Sequence, residues 1–261
     1  MDKSSGKLVD KATMTARQEW YIKSVLEHIK TWEDKNNGGK RIVYCWDVVN
    51  EAANDGGTKL RDGGSNWYSI YKSDEFIVNA FRFANKYAPK DVLLAYNDYN
   101  ECMSNKRAMI LKIIDSVKAH EKDSKLPTRI DVLGMQSHIK QGNPSIAEYE
   151  KTIKMYIAKG LDVHITEIEI ASMSKADAEN PEKLKESYKK TFEMFLRNAK
   201  TKNKKGISSV TFWGLHDGVT WLNVPSNGQL QWLNNVHQYP LIFDENLNTK
   251  PAFYGVLEAA Q

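Results

Sequence analysis

Five short apolar runs, rich in β-branched residues, recur along the chain and are separated by longer stretches of helical periodicity. They lie at about residues 42–50, 92–98, 131–138, 162–168 and 208–214. Runs of this length predict strands, and the stretches between them predict helices. The repeated strand–helix unit predicts an α/β fold with a parallel sheet covered by helices, either a doubly wound sheet or a (β/α)-barrel.

Capping signals and apolar stripes support the predicted helices, of which the first is expected at about residues 13–33. Thr15 with Gln18 and Ser145 with Glu148 match the capping box, and Pro181 stands where a first-turn proline is tolerated. Three apolar stripes are predicted to face the core: Ile22, Val25, Leu26, Ile29 and Trp32; Phe76, Ile77, Ala80, Phe81 and Ala84; and Leu184, Tyr188, Phe192, Phe195 and Leu196.

Reactive or sugar-binding side chains follow each apolar run at its carboxyl end. They are Asn50 and Glu51; Asn97, Asp98, Tyr99 and Asn100; Gln136 and His138; Glu167 and Glu169; and Trp213, His216 and Asp217. Barrel enzymes build their active sites at this end of the strands. The glycine motifs that bind dinucleotides or phosphates are absent from the sequence, which further favours the barrel.

Composition adds only exclusions. The 261 residues, 41% of them hydrophobic and 27% charged, suit one large domain with a net charge of +4. No run approaches the ~18 apolar residues of a membrane span, no signal peptide is visible, and we expect no membrane partner. The basic cluster at 200–205 is interpreted as a solvated turn rather than a nucleic-acid patch. Cys45 and Cys102 have no metal-ligand spacing and are interpreted as packed thiols.

Six segments of the sequence, in order, resemble the signatures of family 10 glycoside hydrolases, the endo-β-1,4-xylanases. The segments are 46–51 (WDVVNE), 96–100 (YNDYN), 134–138 (GMQSH), 165–170 (ITEIEI), 211–214 (TFWG) and 240–252 (PLIFDENLNTKPA). The resemblance runs from about residue 8 to the end. It implies a TIM (β/α)8-barrel in which residues 1–261 form a single catalytic domain with strands 4 to 8, lacking the first three.

The resemblance further implies a retaining, double-displacement hydrolysis of xylan, with Glu51 as general acid/base and Glu167 as nucleophile. Such a mechanism requires two carboxyl groups roughly 5 to 5.5 Å apart, one protonated and one ionised. Asn50 matches the residue that hydrogen-bonds the 2-hydroxyl of the attacked sugar. His138 is implied to hydrogen-bond Glu167 and to hold it ionised. Glu169 stands where the family usually carries an aspartate, so any carboxylate bridge there is expected to shift.

Aromatic side chains are implied to form the substrate platform, since flat apolar faces stack against sugar rings. Trp213 and Trp221 are implied to line the subsites around the cleavage point and Tyr99 the leaving-group side, with Gln136 also in the substrate site. The remaining tryptophans are predicted otherwise: Trp46 as core, Trp20, Trp32 and Trp67 as packing residues, and Trp232 as an unassigned loop residue.

No metal or organic cofactor is expected, because two carboxylates suffice for this chemistry. Two other interpretations remain open: an inactive or xylan-binding fragment, and another retaining barrel glycosidase such as a β-1,4-glucanase or galactanase. The partner expected besides xylan or xylo-oligosaccharide is whatever covers the sheet edge left by the missing strands. We prefer another segment of the same polypeptide as this partner. The alternatives are a second copy of the chain, or a half-formed barrel that stays open with no partner at that edge. The resemblance implies a secreted, periplasmic or cell-surface protein.

Overall fold

Strands and helices alternate through the two units into which the chain divides, Met1–Gly134 and Met135–Gln261. A computed structural model describes residues 6–261, apart from the side chain of Asn227. The strands described are β1 (Cys45–Asn50), β2 (Leu93–Asp98), β3 (Val132–Met135), β4 (His138–Lys140), β5 (Asp162–Ala171) and β6 (Ile207–Phe212). Pairing is parallel between β1 and β2, β4 and β5, and β5 and β6, which confirms the predicted α/β class.

The helices of the described residues are α1 (Lys11–Asn36), α2 (Asn66–Tyr71), α3 (Glu75–Tyr87), α4 (Ser104–Lys118), α5 (Ile146–Ala158), α6 (Lys175–Ala178), α7 (Pro181–Arg197), α8 (Gln229–Trp232) and α9 (Pro251–Glu258). Three 3-10 turns, Asp217–Val219, Trp221–Asn223 and Pro225–Asn227, follow β6. None of the helices described is both long and apolar enough to cross a bilayer.

The first unit is built on β2, which lies between β1 and β3. The predicted stripe of α3 is confirmed, since all five of its residues are buried. In α4 the buried apolar residues are Ile110, Ile113, Ile114 and Val117. By contrast, β1 has no buried residue, and among the strands of residues 6–261 it pairs only with β2.

The predictions for α1 are partly wrong. The helix begins at Lys11, two residues before the predicted start, and the Asp10 side chain, rather than Thr15, caps it by accepting from the Thr13 amide. Only Leu26 of the predicted stripe is buried. Trp20 and Trp32, predicted as packing residues, are 68% and 45% exposed. The physical reason for the exposure of Trp20 is that this side of α1 lines a cavity beside β1 instead of packing.

The second unit is built on β5, which pairs with β4 on one side and β6 on the other. As predicted, Ser145 caps α5 by accepting from the Glu148 amide, and Pro181 is the first residue of α7. In the α7 stripe, Leu184, Tyr188 and Phe195 are buried, whereas Leu196 is 48% exposed. The apolar run 131–138 forms two strands rather than one. Ser137, with φ 62, breaks the extended backbone between β3 and β4.

A tight turn follows β1 and packs against the first residues of α4. Gly57 donates its amide to the Asn54 carbonyl at 2.9 Å and adopts φ 66. A Cβ atom on Gly57 would stand 2.2 Å from the backbone of Lys106, too close for any side chain. Only glycine therefore satisfies both the conformation and the packing at this position.

We predict that Gly57→Ala destabilises the protein by more than about 2 kcal/mol, because it adds both backbone strain and a backbone clash. Gly56→Ala is the matched control, since a Cβ there meets nothing within 4 Å and its φ is unstrained. Urea unfolding followed by circular dichroism measures both changes. Equal midpoints for the two variants would contradict the packing described.

Candidate active site

Glu51 is aimed by two irregularities at the end of β1. The pairing register with β2 skips one residue between Asp47 and Val49, so Val48 forms a bulge. Glu51 itself adopts φ 56, a left-handed conformation that is uncommon for a residue other than glycine. Its amide still donates to the carbonyl of Asn97 at 2.9 Å, so the ladder continues to the residue where the chain turns. Bulges and strained residues of this kind cluster at active sites.

An amide pair orients the Glu51 carboxyl group. Asn50 Nδ2 donates to Glu51 Oε1 at 3.3 Å, and Asn97 Nδ2 donates to Asn50 Oδ1 at 2.9 Å. Arg61 Nε donates to the backbone carbonyl of Glu51 at 3.0 Å. Asn97 is buried and Asn50 is exposed, so an anchored amide holds an accessible one beside the carboxyl group.

Tyr99, predicted for the leaving-group side, is half-buried and tied to the loop that follows Glu51. Its hydroxyl accepts from Arg61 Nη2 at 2.9 Å and donates to Asp55. Burial raises the pKa of Tyr99 to about 12, with the Asp55 carboxylate adding to the effect. The Lys106 ammonium lies 4.0 Å from the ring centroid, within the range of a cation–π contact.

Glu167 lies in a bulge of β5. The register with β6 matches two residues, Thr166 and Glu167, to the single residue Thr211. Both are partly exposed, whereas the residues on either side, Ile165 and Ile168, are buried. The bulge therefore turns the Glu167 side chain out of a strand that is otherwise core.

His138 lies between two carboxylates. Its Nε2 is 3.2 Å from Glu167 Oε2 and its Nδ1 is 2.9 Å from Glu169 Oε1. Burial lowers the pKa of His138, but the hydrogen bonds to Glu167 and Glu169 outweigh burial and raise it to about 9. At neutral pH the ring is an imidazolium that donates to both carboxylates.

Glu169 receives two hydrogen bonds on a single oxygen. Its Oε1 accepts from His138 and, at 2.6 Å, from the indole nitrogen of Trp221. Its Oε2 is buried and has no hydrogen-bond partner among residues 6–261. Burial raises the pKa of Glu169, although the hydrogen bonds from His138 and Trp221 act to lower it. Glu169 thus bridges His138 and Trp221 through one carboxylate oxygen.

Two tryptophan rings lie around His138. Trp221 is 5.0 Å from it between ring centroids and Trp213 is 6.5 Å away, edge to face. Trp213 is 45% exposed, so its ring is accessible to a ligand. Gln136, also implied for the substrate site, is buried at 4% exposure.

Other strand-end residues have structural rather than reactive surroundings. Asp98 and Asp217, grouped with the reactive side chains on sequence, are buried and form ion pairs with Lys106 and Lys250. Lys106 and Arg61 were not identified on sequence. Lys106 shares a helical face with the buried α4 residues, a signal that could have revealed it, whereas Arg61 lies in an irregular loop without periodicity.

No three His, Cys, Asp or Glu side chains of the described residues are grouped so that they could hold a metal ion. The basic residues Lys200 and Lys205 form ion pairs with Asp162 at 2.8 and 3.1 Å.

The sequence matches the model of the family described as glycosyl hydrolase family 10 over residues 3–259. It is 37% identical to endo-1,4-beta-xylanase B of Butyrivibrio fibrisolvens, over 97% of this chain and 36% of that protein. It is 35% identical to an endo-1,4-beta-xylanase of Geobacillus stearothermophilus, over 97% of this chain and 71% of that protein. The chain thus spans about one third of the first relative and under three quarters of the second.

Solved structures agree with this match. The N-terminal endo-1,4-beta-D-xylanase 10B of Clostridium thermocellum, complexed with xylohexaose, superposes with a TM-score of 0.80 at 30% identity. The alignment covers 98% of this chain and 48% of that one. Xylanase 10B of Thermotoga maritima superposes with a TM-score of 0.77 at 28% identity. That alignment covers 98% of this chain and 69% of the Thermotoga chain. The predicted fold class, of the TIM-barrel type, is confirmed.

The raised pKa of His138 predicts a pH-dependent stability. Because the folded pKa is about 9 and the ordinary value is 6.5, the stabilisation is fully present below about pH 6.5 and is lost as pH rises through 9. We expect the free energy of unfolding to fall across this window by on the order of 2 to 3 kcal/mol. Urea unfolding at pH 6, 7.5 and 9 measures it.

Replacing Glu169 by glutamine removes one of the two carboxylates that favour the imidazolium. We expect Glu169→Gln to lower the pKa of His138 and to move the loss of stability to lower pH. Nuclear magnetic resonance titration of the histidine rings measures the pKa directly, with the exposed Glu193→Gln on α7 as control. An unchanged His138 titration in Glu169→Gln would rule out the coupling.

Proposed function

The chain belongs to glycosyl hydrolase family 10, and we propose on this premise that it carries the catalytic residues of a retaining endo-1,4-β-xylanase. The observation that carries the proposal is the His138 imidazolium held between Glu167 and Glu169, beside two tryptophan rings. A nucleophilic carboxylate must be aimed at the anomeric carbon, and the hydrogen bond from His138 orients Glu167.

In the proposed first step, one carboxylate oxygen of Glu167 attacks the anomeric carbon as the bond to the leaving oxygen breaks. Glu51 donates its proton to that oxygen, which leaves a glycosyl ester on Glu167. In the second step, Glu51 removes a proton from water, the water oxygen attacks the anomeric carbon, and Glu167 is released as a carboxylate. Asn50 is proposed to hydrogen-bond the 2-hydroxyl of the same sugar.

His138 need not lose its proton during this cycle. Esterification removes the negative charge of Glu167, but Glu169 remains hydrogen-bonded to the other ring nitrogen. The imidazolium therefore keeps one carboxylate partner in the covalent intermediate, and it can stabilise Glu167 again as the ester breaks. A histidine paired with Glu167 alone would lose its counter-ion at that stage.

Xylan is the proposed substrate because the related proteins are named endo-1,4-beta-xylanases and one related structure contains xylohexaose. Exposed Trp213 and neighbouring Trp221 supply flat faces for pyranose rings. Parallel assays on xylan, cellulose and galactan separate this proposal from a β-1,4-glucanase or galactanase. Faster release of reducing sugar from cellulose or galactan would contradict it.

Single substitutions of the two glutamates separate an active enzyme from a binding-only or inactive fragment. We expect Glu167→Gln and Glu51→Gln each to lower kcat on xylan by about 10²-fold or more, because each removes a group that reacts in the transition state. The exposed Glu193→Gln should retain wild-type activity. Equal background release from all four proteins would support the inactive fragment.

We also propose that further protein covers the side of the first unit formed by α1 and β1. A cavity of about 1280 Å³ lies there, and Trp20, Trp46 and Trp67 are among its lining residues. Trp20 and Tyr21 are 68% and 64% exposed, and an edge strand such as β1 offers backbone groups for pairing. Another segment of the same polypeptide is the occupant we favour, with a second copy as the alternative.

Light scattering over a range of concentrations distinguishes the two occupants. A covering segment from the same polypeptide predicts no discrete dimer of this chain, whereas a second copy predicts one. Trp20→Asp places a charge in the exposed aromatic surface, and Trp232→Asp, at a 66% exposed tryptophan of the second unit, is the control. A dimer that only Trp20→Asp dissociates would replace the favoured occupant with a second copy.

A further inference from the structure

An ion pair is completely buried beneath the turn that follows Glu51. Lys106 and Asp98 have no exposed side-chain surface, and Lys106 Nζ lies 2.9 Å from Asp98 Oδ1. The same ammonium group donates to the carbonyls of Ala53 at 3.0 Å and Asn54 at 3.3 Å. An ammonium has three donors, so all three are used, and two of them hold the turn.

Tyr96 binds amide groups of the same turn, whereas Lys106 binds its carbonyl groups. Its hydroxyl accepts from the amides of Ala52 at 3.1 Å and Ala53 at 3.2 Å, and donates to Asp98 Oδ2. The Tyr96 side chain is itself fully buried. Two buried side chains, Tyr96 on β2 and Lys106 on α4, therefore bind N–H and C=O groups of the residues directly after Glu51, and Asp98 joins the two.

Glu51 depends on such support because of its backbone. A residue other than glycine with φ 56 persists only when its surroundings hold it there. The direction of the Glu51 side chain follows from its backbone dihedrals. A change in the turn at 52–54 therefore changes where the carboxyl group points.

Stability alone is a weak reason for this arrangement, because a buried ion pair replaced by apolar residues of similar volume is often neutral or stabilising. An apolar pair would, however, leave the carbonyls of Ala53 and Asn54 without the Lys106 donors. The polar cluster is thus matched to the backbone groups of one turn.

We propose that Tyr96, Asp98 and Lys106 are positioning residues for proton transfer by Glu51. This inference rests on the proposed function of Glu51 as the acid/base. A mispositioned acid delivers its proton poorly, so the defect should be large for leaving groups that need protonation and small for those that do not.

Tyr96→Phe tests the proposal with the loss of one hydroxyl group and retention of the ion pair. We expect kcat/KM on xylotetraose to fall about tenfold or more, because general acid catalysis contributes typically 10²–10⁴-fold. On 2,4-dinitrophenyl xylobioside, whose leaving group needs no proton, we expect a fall of less than about threefold. The ratio of the two values for one preparation does not depend on how much of the protein is folded.

Tyr71→Phe is the matched control. It also removes a buried tyrosine hydroxyl in the first unit, one that hydrogen-bonds the Thr15 hydroxyl at 2.6 Å. We expect its activities on the two substrates to change by the same factor. An equal change on both substrates in Tyr96→Phe as well would overturn the positioning role and leave only a structural one.

Amide hydrogen exchange supplies a readout that does not require activity. We expect the amides of residues 52 and 53 to exchange about tenfold faster or more in Tyr96→Phe, with no such change in Tyr71→Phe. A wild-type chain that cleaves neither substrate would contradict the proposed function, but not the inference that Tyr96 stabilises the turn at 52–54. Unchanged amide exchange at residues 52 and 53 in Tyr96→Phe would show that Tyr96 does not stabilise the turn, and would overturn the proposal whatever the activity.

Discussion

A single imidazolium shared by two carboxylates is the interaction on which the second unit's chemistry depends. His138 carries its proton at neutral pH because Glu167 and Glu169 lie at its two nitrogens, and burial alone would have removed the proton. The charge of His138 therefore depends on both carboxylates. The Trp221 indole belongs to the same network, since it donates to the oxygen of Glu169 that also binds His138. Trp221 and Glu167 are thus linked through Glu169 and His138.

Irregular backbone, rather than regular strand geometry, aims the two glutamates. β1 carries a bulge before Glu51, and β5 carries one at Thr166 and Glu167. In β5 every residue except Thr166 and Glu167 is buried, and a regular strand buried on both faces leaves no accessible position for a carboxylate. An extra residue resolves this conflict locally, because it lets one side chain leave the core while the flanking residues stay in it.

The sequence predicted the fold class, because buried strands that alternate with helices leave a strong local pattern. It failed where the neighbours of a residue decide its surroundings. Trp20 is a large aromatic residue of a type that usually packs in a core, but the described part of the chain places no core against that side of α1. Lys106 and Asp98 are charged residues whose burial depends on a partner on another element. The bulges could not be predicted either, since register is a property of two strands and not of one.

The two units use buried or partly buried cations in different ways, and the difference matches the proposed roles of their glutamates. In the second unit the cation of His138 touches the Glu167 carboxylate itself, which suits a nucleophile that must be ionised before it attacks. In the first unit Lys106 and Arg61 donate to backbone carbonyls of the turn, while the neutral Asn50 amide donates to the Glu51 carboxyl group. Support of the backbone acts on both protonation states of the Glu51 carboxyl group, which suits a general acid that must later act as a base.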